Sequence, residues 1–227
     1  MKCPSCGNQN LDVHGHDLIC GFCRTVVLNP KTTETIIIPD PEPINDDYIN
    51  LASLIDSVLT IHNADRVGTG FIIDESGLVL TNQHVIGDAE VVYGVFDGSP
   101  ISYPMYPIHL GDEDRDLCLL QLDSNNIFTP LRFSSTTPKL GDEVVTIGNP
   151  HGIGLSIAKG FVSRLDEDSN LQLNMQLNPG NSGGPVLNEA GHVIGIVSYL
   201  IQELSGMSFA IGKKTILEFI ESFEGDE

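Results

Sequence analysis

The sequence predicts a mainly β protein preceded by a small metal-bound module. Three observations carry that expectation. From Val67 onward, apolar and polar residues alternate in short runs. The runs are punctuated by turn formers, with 23 glycines and 13 prolines in 227 residues. Two Cys-x-x-Cys pairs stand near the N-terminus. A period of two places every second side chain on one face of a strand, and Gly and Pro supply the φ values that tight turns require.

The N-terminal module rests on Cys3-Pro4-Ser5-Cys6-Gly7 and Cys20-Gly21-Phe22-Cys23-Arg24, separated by 13 residues. Thiolates two residues apart can curl around one ion, and two such knuckles complete a tetrahedral S4 shell. Residues 1–28 therefore read as a zinc ribbon with Cys3, Cys6, Cys20 and Cys23 as ligands to one structural Zn²⁺. A segment of ~25 residues cannot bury a sufficient core unaided, so a metal has a folding role here. Iron in a rubredoxin-like site is the alternative, whereas paired disulfides or a redox motif suit two tandem knuckles poorly. His14 and His16 fall in the spacer and read as exposed hairpin residues.

Residues 29–50 hold Pro30, Pro39, Pro41 and Pro43 among acids, which predicts an extended, fairly stiff linker. Its run Ile36-Ile37-Ile38 is suited to adding a strand or covering part of a sheet. An amphipathic helix is expected next, beginning near Asp46 or Asp47 and carrying Tyr48, Leu51, Leu54 and Ile55 on one face. Candidate strands follow at 67–73, 78–81, 90–97, 101–110 and 117–122. A polar, proline-containing connection covers 124–141. Further strands are expected at 143–148, 156–165, 171–177, 184–187, 192–199 and 207–211. Ile216, Leu217, Phe219, Ile220 and Phe223 recur at helical spacing, which predicts a closing helix over 213–223.

The most specific chemistry lies in Asn178-Pro179-Gly180-Asn181-Ser182-Gly183-Gly184-Pro185. A serine hydroxyl is a poor nucleophile. A protein that uses one exposes it on a tight glycine-permitted turn and aims backbone N–H groups at the developing oxyanion. It also needs a base and a group to orient the base. Of the seven histidines, His84 stands where the run 78–81 ends, held by the scaffold yet facing a cleft. Asp116 heads the apolar run Leu117–Leu122. Half-buried there, it needs a partner that an imidazole N–H can supply. Gly180-Asn181-Ser182-Gly183-Gly184 also fits the G-x-S-x-G elbow of α/β-hydrolases. That fold requires its acid and then its histidine after the serine, and only His192 follows, so this reading is set aside.

Taken together, Gly68-Thr69-Gly70-Phe71-Ile72-Ile73, Leu78-Val79-Leu80-Thr81-Asn82-Gln83-His84-Val85-Ile86, Asp116-Leu117-Cys118-Leu119-Leu120-Gln121-Leu122 and Leu177 to Val186 resemble the chymotrypsin-like serine proteases, in particular the HtrA/Deg branch. The resemblance runs from about residue 58 to 211. It implies two six-stranded antiparallel β-barrels within residues 51–227: the first over about 57–123, opening with a strand at 57–62, the second over about 141–212, and then a helix over about 213–224. It further implies that Ser182 is the nucleophile, His84 the general base and then acid, and Asp116 its orienting partner. The N–H groups of Gly180 and Ser182 would form the oxyanion hole. Gln176, Leu177, Ser208, Phe209 and Ala210 would line the primary specificity pocket. No aspartate is among them, so a preference for Lys or Arg lacks its counter-charge. Members of this branch carry a small apolar residue near position 176 and cleave after Val or Ala. Gln176 either makes the pocket narrower and more polar or points away from it.

Composition excludes other classes. With 31 acids against 11 bases and a net charge of −20, the chain lacks the cations that nucleic-acid binding needs, and anionic membrane surfaces repel it. No apolar run approaches the ~20 residues that span a bilayer. Met1 to Cys6 has no apolar core of a secretory signal, so the expectation is a cytoplasmic protein with unpaired, metal-spaced thiols. Cys118 on its apolar run reads as a buried thiol. The resemblance is expected to stop short of the PDZ domain found in many members, leaving the ribbon as the targeting device. The expected function is a serine endopeptidase acting on unfolded or peptide-like protein substrates, with a protein partner for the ribbon. The alternative is a protease-like peptide-binding module, latent or inactive, recruited through the ribbon.

Overall fold

The computed structural model describes Cys6, Gln9, the backbone of 11–14, 17–20 and 26–27, and residues 51–64, 66–111, 115–167, 169–198 and 208–225. The chain forms two compact units, Met1–Ile37 and Ile38–Glu227.

In the first unit, β1 (Leu11–His14), β2 (Asp17–Cys20) and β3 (Val26–Val27) make an antiparallel sheet in the order β1-β2-β3. His14 lies opposite Asp17 and Leu11 opposite Cys20. The spacer between the cysteine pairs thus contains a hairpin, which brings Cys20 back beside Leu11. Cys3, Cys23, His16 and the linker over 29–50 lie outside the described residues.

The second unit opens with α1 (Leu51–Ile55), which hands the chain to β4 (Val58–Asn63) through a bond from Ser57 N–H to the Leu54 carbonyl. The expected start of this helix at Asp46 or Asp47 lies outside the described residues. Then come β5 (Arg66–Asp74), β6 (Leu78–Thr81), α2 (Gln83–Ile86), β7 (Val92–Phe96), β8 (Tyr103–Leu110) and β9 (Cys118–Leu122). The six strands close into a barrel in the order β4-β5-β6-β9-β8-β7. A second closed barrel repeats that order. It comprises β10 (Glu143–Gly148), β11 (Ser156–Leu165), β12 (Leu171–Asn174), β13 (Pro185–Leu187), β14 (Val193–Ser198) and β15 (Ser208–Gly212), arranged β10-β11-β12-β15-β14-β13. Closure leaves neither sheet with an open edge.

Each barrel fills its interior with the inward-facing set of its strands. Leu59, Ile61, Ile72, Val79, Leu120 and Leu122 are 0–1% exposed in the first. Val144, Val162, Leu171, Leu173, Val186 and Ile194 are 0–2% exposed in the second. Burying one such side chain contributes roughly 1.5–3 kcal/mol. Cys118 belongs to the first core at 0% exposure, and burial pushes its thiol up to about 12. The thiol is inert at neutral pH.

Several strands are shorter than the residue pattern predicts, and two of them show why. The first, β12, stops at Asn174 rather than continuing to Leu177. The Ser208 hydroxyl donates to the Met175 carbonyl at 2.7 Å, so a side chain takes the place of the next ladder bond. The second, β7, begins at Val92, whose partner is Met105, and leaves Glu90 and Val91 exposed before it.

The closing helix α3 (Lys213–Gly225) buries Ile216, Phe219 and Ile220 at 0–1% exposure and packs on β14 and β15. Its spacing of three and four residues stacks these side chains on one face. The same helix reaches the first barrel: the His109 ring of β8 stacks on Phe219 with centroids 4.7 Å apart. His109 Nε2 also lies 3.0 Å from Ser222 Oγ.

Candidate active site

His84 sits on α2, the single helical turn that follows β6, and Asp116 lies two residues before β9. Because Thr81 pairs with Cys118 across β6 and β9, the two strand ends deliver these residues side by side. The Asp116 carboxylate grips His84 twice: Oδ1 accepts the backbone N–H at 3.0 Å, and Oδ2 lies 2.7 Å from Nδ1. A carboxylate only accepts, so Nδ1 carries the proton and Nε2 is left to accept one. The Asp116 side chain is 11% exposed and that of His84 32%, so the acid is enclosed while the ring reaches solvent. Two further bonds hold the strand ends in place. Asn82 Nδ2 donates to the Asp116 carbonyl at 2.8 Å, and Arg66 Nη1 donates to the His84 carbonyl at 2.9 Å.

The second barrel meets this pair through Ser198 and the strand β5 through Ser182. Ser198, the last residue of β14, donates its hydroxyl to Asp116 Oδ2 at 2.9 Å. Ser182 accepts the Thr69 N–H on its carbonyl at 2.8 Å. Ser182 is 5% exposed and sits in the turn before β13. Gly180 has φ +103° and Gly183 φ +82°, values that L side chains rarely adopt. A Cβ on Gly180 would overlap the Asn149 carbonyl, and one on Gly183 the Thr69 carbonyl, so the turn is packed against its neighbours at backbone contact.

The carbonyls of this turn are all engaged, some within it and some by neighbouring segments. Asn178, Pro179 and Asn181 accept from the N–H groups of Asn181, His151 and Gly184 at 3.0, 2.8 and 2.9 Å. Gly180 accepts the Thr69 hydroxyl at 2.7 Å. A peptide carbonyl turned one way turns its N–H the other. Among the described residues, nothing accepts from the N–H of Gly180 or of Ser182. The N–H groups of Gly180 and Ser182 are thus both left free to donate.

The residues expected to line the specificity pocket divide. Leu177 and Ala210 are buried in the second core at 7% and 2% exposure, and Ser208 is 8% exposed with its hydroxyl engaged by Met175. Phe209 is half-buried opposite Gln172. Gln176 is exposed. Cys6 is exposed in the first unit, Cys20 ends β2, and Cys3 and Cys23 lie outside the described residues.

Three residues of the site carry no signal that stands out in the sequence. Ser198 reads only as the polar end of an apolar strand. Thr69 reads as one position in a strand between two glycines. Asn149, in Gly148-Asn149-Pro150, bonds Thr60 Oγ1 through Nδ2 at 2.8 Å and Gly154 N–H through Oδ1 at 2.8 Å. The tight Asn-Pro turn is the one cue that singles it out.

Residues 68–196 match the trypsin-like peptidase domain. A protein from Pseudomonas putida named as a DegP-like periplasmic serine endoprotease is 38% identical over 160 residues, 65% of this chain and 33% of that protein. The serine protease HhoA of Synechocystis is 32% identical over 196 residues, 79% of this chain and 49% of that one. The chain therefore spans about a third to a half of the length of these curated relatives. The crystal structure of the serine endoprotease from Yersinia pestis superimposes with a TM-score of 0.71 at 27% identity, covering 81% of this chain and 69% of that one. A match across more than half of the residues, on the same two-barrel scaffold, shows that the chain belongs to the trypsin-like peptidase family, where it is similar to HtrA/DegP-type proteins.

Proposed function

We propose that the chain is a serine endopeptidase that cleaves unfolded or peptide-like protein substrates through an acyl-enzyme. Ser182 Oγ attacks the scissile carbonyl as His84 Nε2 takes its proton. The oxyanion is held by the N–H groups of Gly180 and Ser182. His84 then returns the proton to the leaving amine, which departs as the carbonyl re-forms. Water, deprotonated by the same imidazole, releases the acyl group and regenerates Ser182. Asp116 keeps the proton on Nδ1 and stabilises the imidazolium that forms twice per turnover.

The observation that carries this reading is the double grip of Asp116 on His84, which leaves Nε2 as the acceptor. Fluorophosphonate labelling of the folded chain tests it. Wild type should label at Ser182 and digest an unstructured protein, and Ser182→Ala should do neither while keeping its melting temperature. Folded wild type that stays unlabelled overturns the reading and favours a peptide-binding module without activity.

The ribbon reading is part of the same proposal. Cys3, Cys6, Cys20 and Cys23 would hold one structural Zn²⁺ in a tetrahedral thiolate shell, and the module would recruit a protein partner or substrate. The donor set supports it, as does the hairpin that carries Cys20 back along the chain. Thiols kept for a metal suit the reducing cytoplasm, the localisation proposed here, although the Pseudomonas putida relative is named as periplasmic.

A further inference from the structure

We propose that Thr69 is the positioning residue that sets the oxyanion-binding turn, acting from the first barrel on the second. The inference rests on the reading of Ser182 as nucleophile and of the Gly180 and Ser182 N–H groups as the anion site. Thr69 lies in the middle of β5, fully buried at 0% exposure, and every polar atom it has is engaged around that turn. Its N–H donates to the Ser182 carbonyl at 2.8 Å. Its hydroxyl donates to the Gly180 carbonyl at 2.7 Å and accepts the Asn149 N–H at 3.1 Å. Its carbonyl accepts the Thr81 hydroxyl at 2.7 Å.

The Gly180 and Ser182 carbonyls follow directly on the two residues whose N–H groups face the oxyanion. Fixing both carbonyls fixes the backbone on the far side of each donor, and Thr69 does so from one residue. The strand that carries it is itself anchored. Thr60, directly opposite on β4, accepts Asn149 Nδ2 at 2.8 Å, so both barrel-one threonines hold the segment whose His151 N–H turns the Pro179 carbonyl outward. Valine has nearly the shape of threonine. Placed at position 69, it would fill the same space while leaving the Gly180 carbonyl and the Asn149 N–H buried and without this partner. The turn then has no donor to hold it from the first barrel, and rotation of its peptides costs less. Oxyanion donors act only when already in place, and a displacement on the order of 1 Å costs about 100-fold in rate.

The test compares wild type, Thr69→Val and Thr69→Ser by steady-state kinetics and by affinity for a peptide aldehyde, whose adduct with Ser182 carries the oxyanion. We expect Thr69→Val to lose about 10- to 100-fold in kcat with KM within about twofold, and to bind the aldehyde weaker by a similar factor. Binding of the corresponding peptide acid, which forms no adduct, should be unchanged, and Thr69→Ser should restore kcat. Ser134→Ala serves as the structural comparison, since it removes a buried hydroxyl that bonds Thr136 and Asn188 and not the turn. If Thr69→Val does not fold, Thr69→Ala removes the same hydroxyl without placing a methyl against the Gly180 carbonyl and is read in the same way. An active wild type with Thr69→Val equal to it in kcat and aldehyde affinity overturns the proposal. So does a loss that Ser134→Ala reproduces. Inactive wild type would instead strike at the endopeptidase reading.

Discussion

Ser198 and His84 share one carboxylate oxygen: the Ser198 hydroxyl donates to Asp116 Oδ2 at 2.9 Å, and His84 Nδ1 meets the same atom at 2.7 Å. One partner comes from each barrel, so the Asp116 carboxylate is held from both sides. Ser198→Ala removes the donor from the second barrel. Hydrogen bonds to charged groups contribute about 1.5–3 kcal/mol, part of which is regained from solvent here because Asp116 is not fully enclosed. The expected result is a fall in kcat of about tenfold with KM little changed. Unchanged kinetics in a folded variant would remove Ser198 from the orienting machinery.

Gly180→Ala tests the turn itself. Alanine at φ +103° is strained, and its Cβ would overlap the Asn149 carbonyl. The turn has to move, and the two free N–H groups move with it. Fluorophosphonate labelling should fall by at least about 100-fold, the loss that one misplaced oxyanion donor produces. Both barrels should persist by circular dichroism, because neither core contains Gly180.

The strands of both barrels were legible as alternating runs, because a barrel wall with one face in the core imposes period two on its residues. The His84–Asp116 pair was legible because both residues stand at strand ends, and the turn that carries Ser182 because Gly180 and Gly183 must be glycine. Ser198 and Thr69 were not, since their roles depend on partners that closure of the fold brings from 82 and 111 residues away. A hydroxyl in a strand looks the same whether it faces solvent or an aspartate. The shared strand order of the two barrels was likewise silent, because closure constrains the path of the backbone and not which apolar residues line it. The ends of β12 shifted because the Ser208 side chain replaced a ladder bond, which residue pattern does not encode.

Stability should depend on His192. Partial burial, and then the Arg132 charge, hold its imidazole below the ordinary value of 6.5. On acidification the unfolded chain therefore takes up this proton before the folded one does. The contribution is fully present above about pH 6.5 and is lost as pH falls from there through the lowered folded value. Denaturation midpoints measured across this range should decline less steeply in His192→Gln than in wild type. Parallel slopes would show that His192 does not contribute.

Zinc should be separable from catalysis. The N-terminal sheet and the two barrels belong to different compact units, so a strong chelator is expected to unfold the ribbon and leave hydrolysis of a short peptide intact. Metal analysis of the wild type should give one zinc per chain, reduced in Cys3→Ser or Cys20→Ser. Peptide cleavage that disappears in step with zinc loss would assign the ribbon a structural role in the active enzyme.

The order of the chain has a consequence during synthesis. His84 and Asp116 are translated with the first barrel, Ser182 and Ser198 with the second, and α3 emerges after both. A ribosome-bound chain that has completed only β4–β9 carries the His84–Asp116 pair without Ser182. Thr69 then has no Gly180 or Ser182 carbonyl to hold, and Asp116 lacks its second donor. On the proposed reading the site is completed late, only once β13 and β14 have joined β4–β9. Until then His84 and Asp116 stand without their partners from the second barrel.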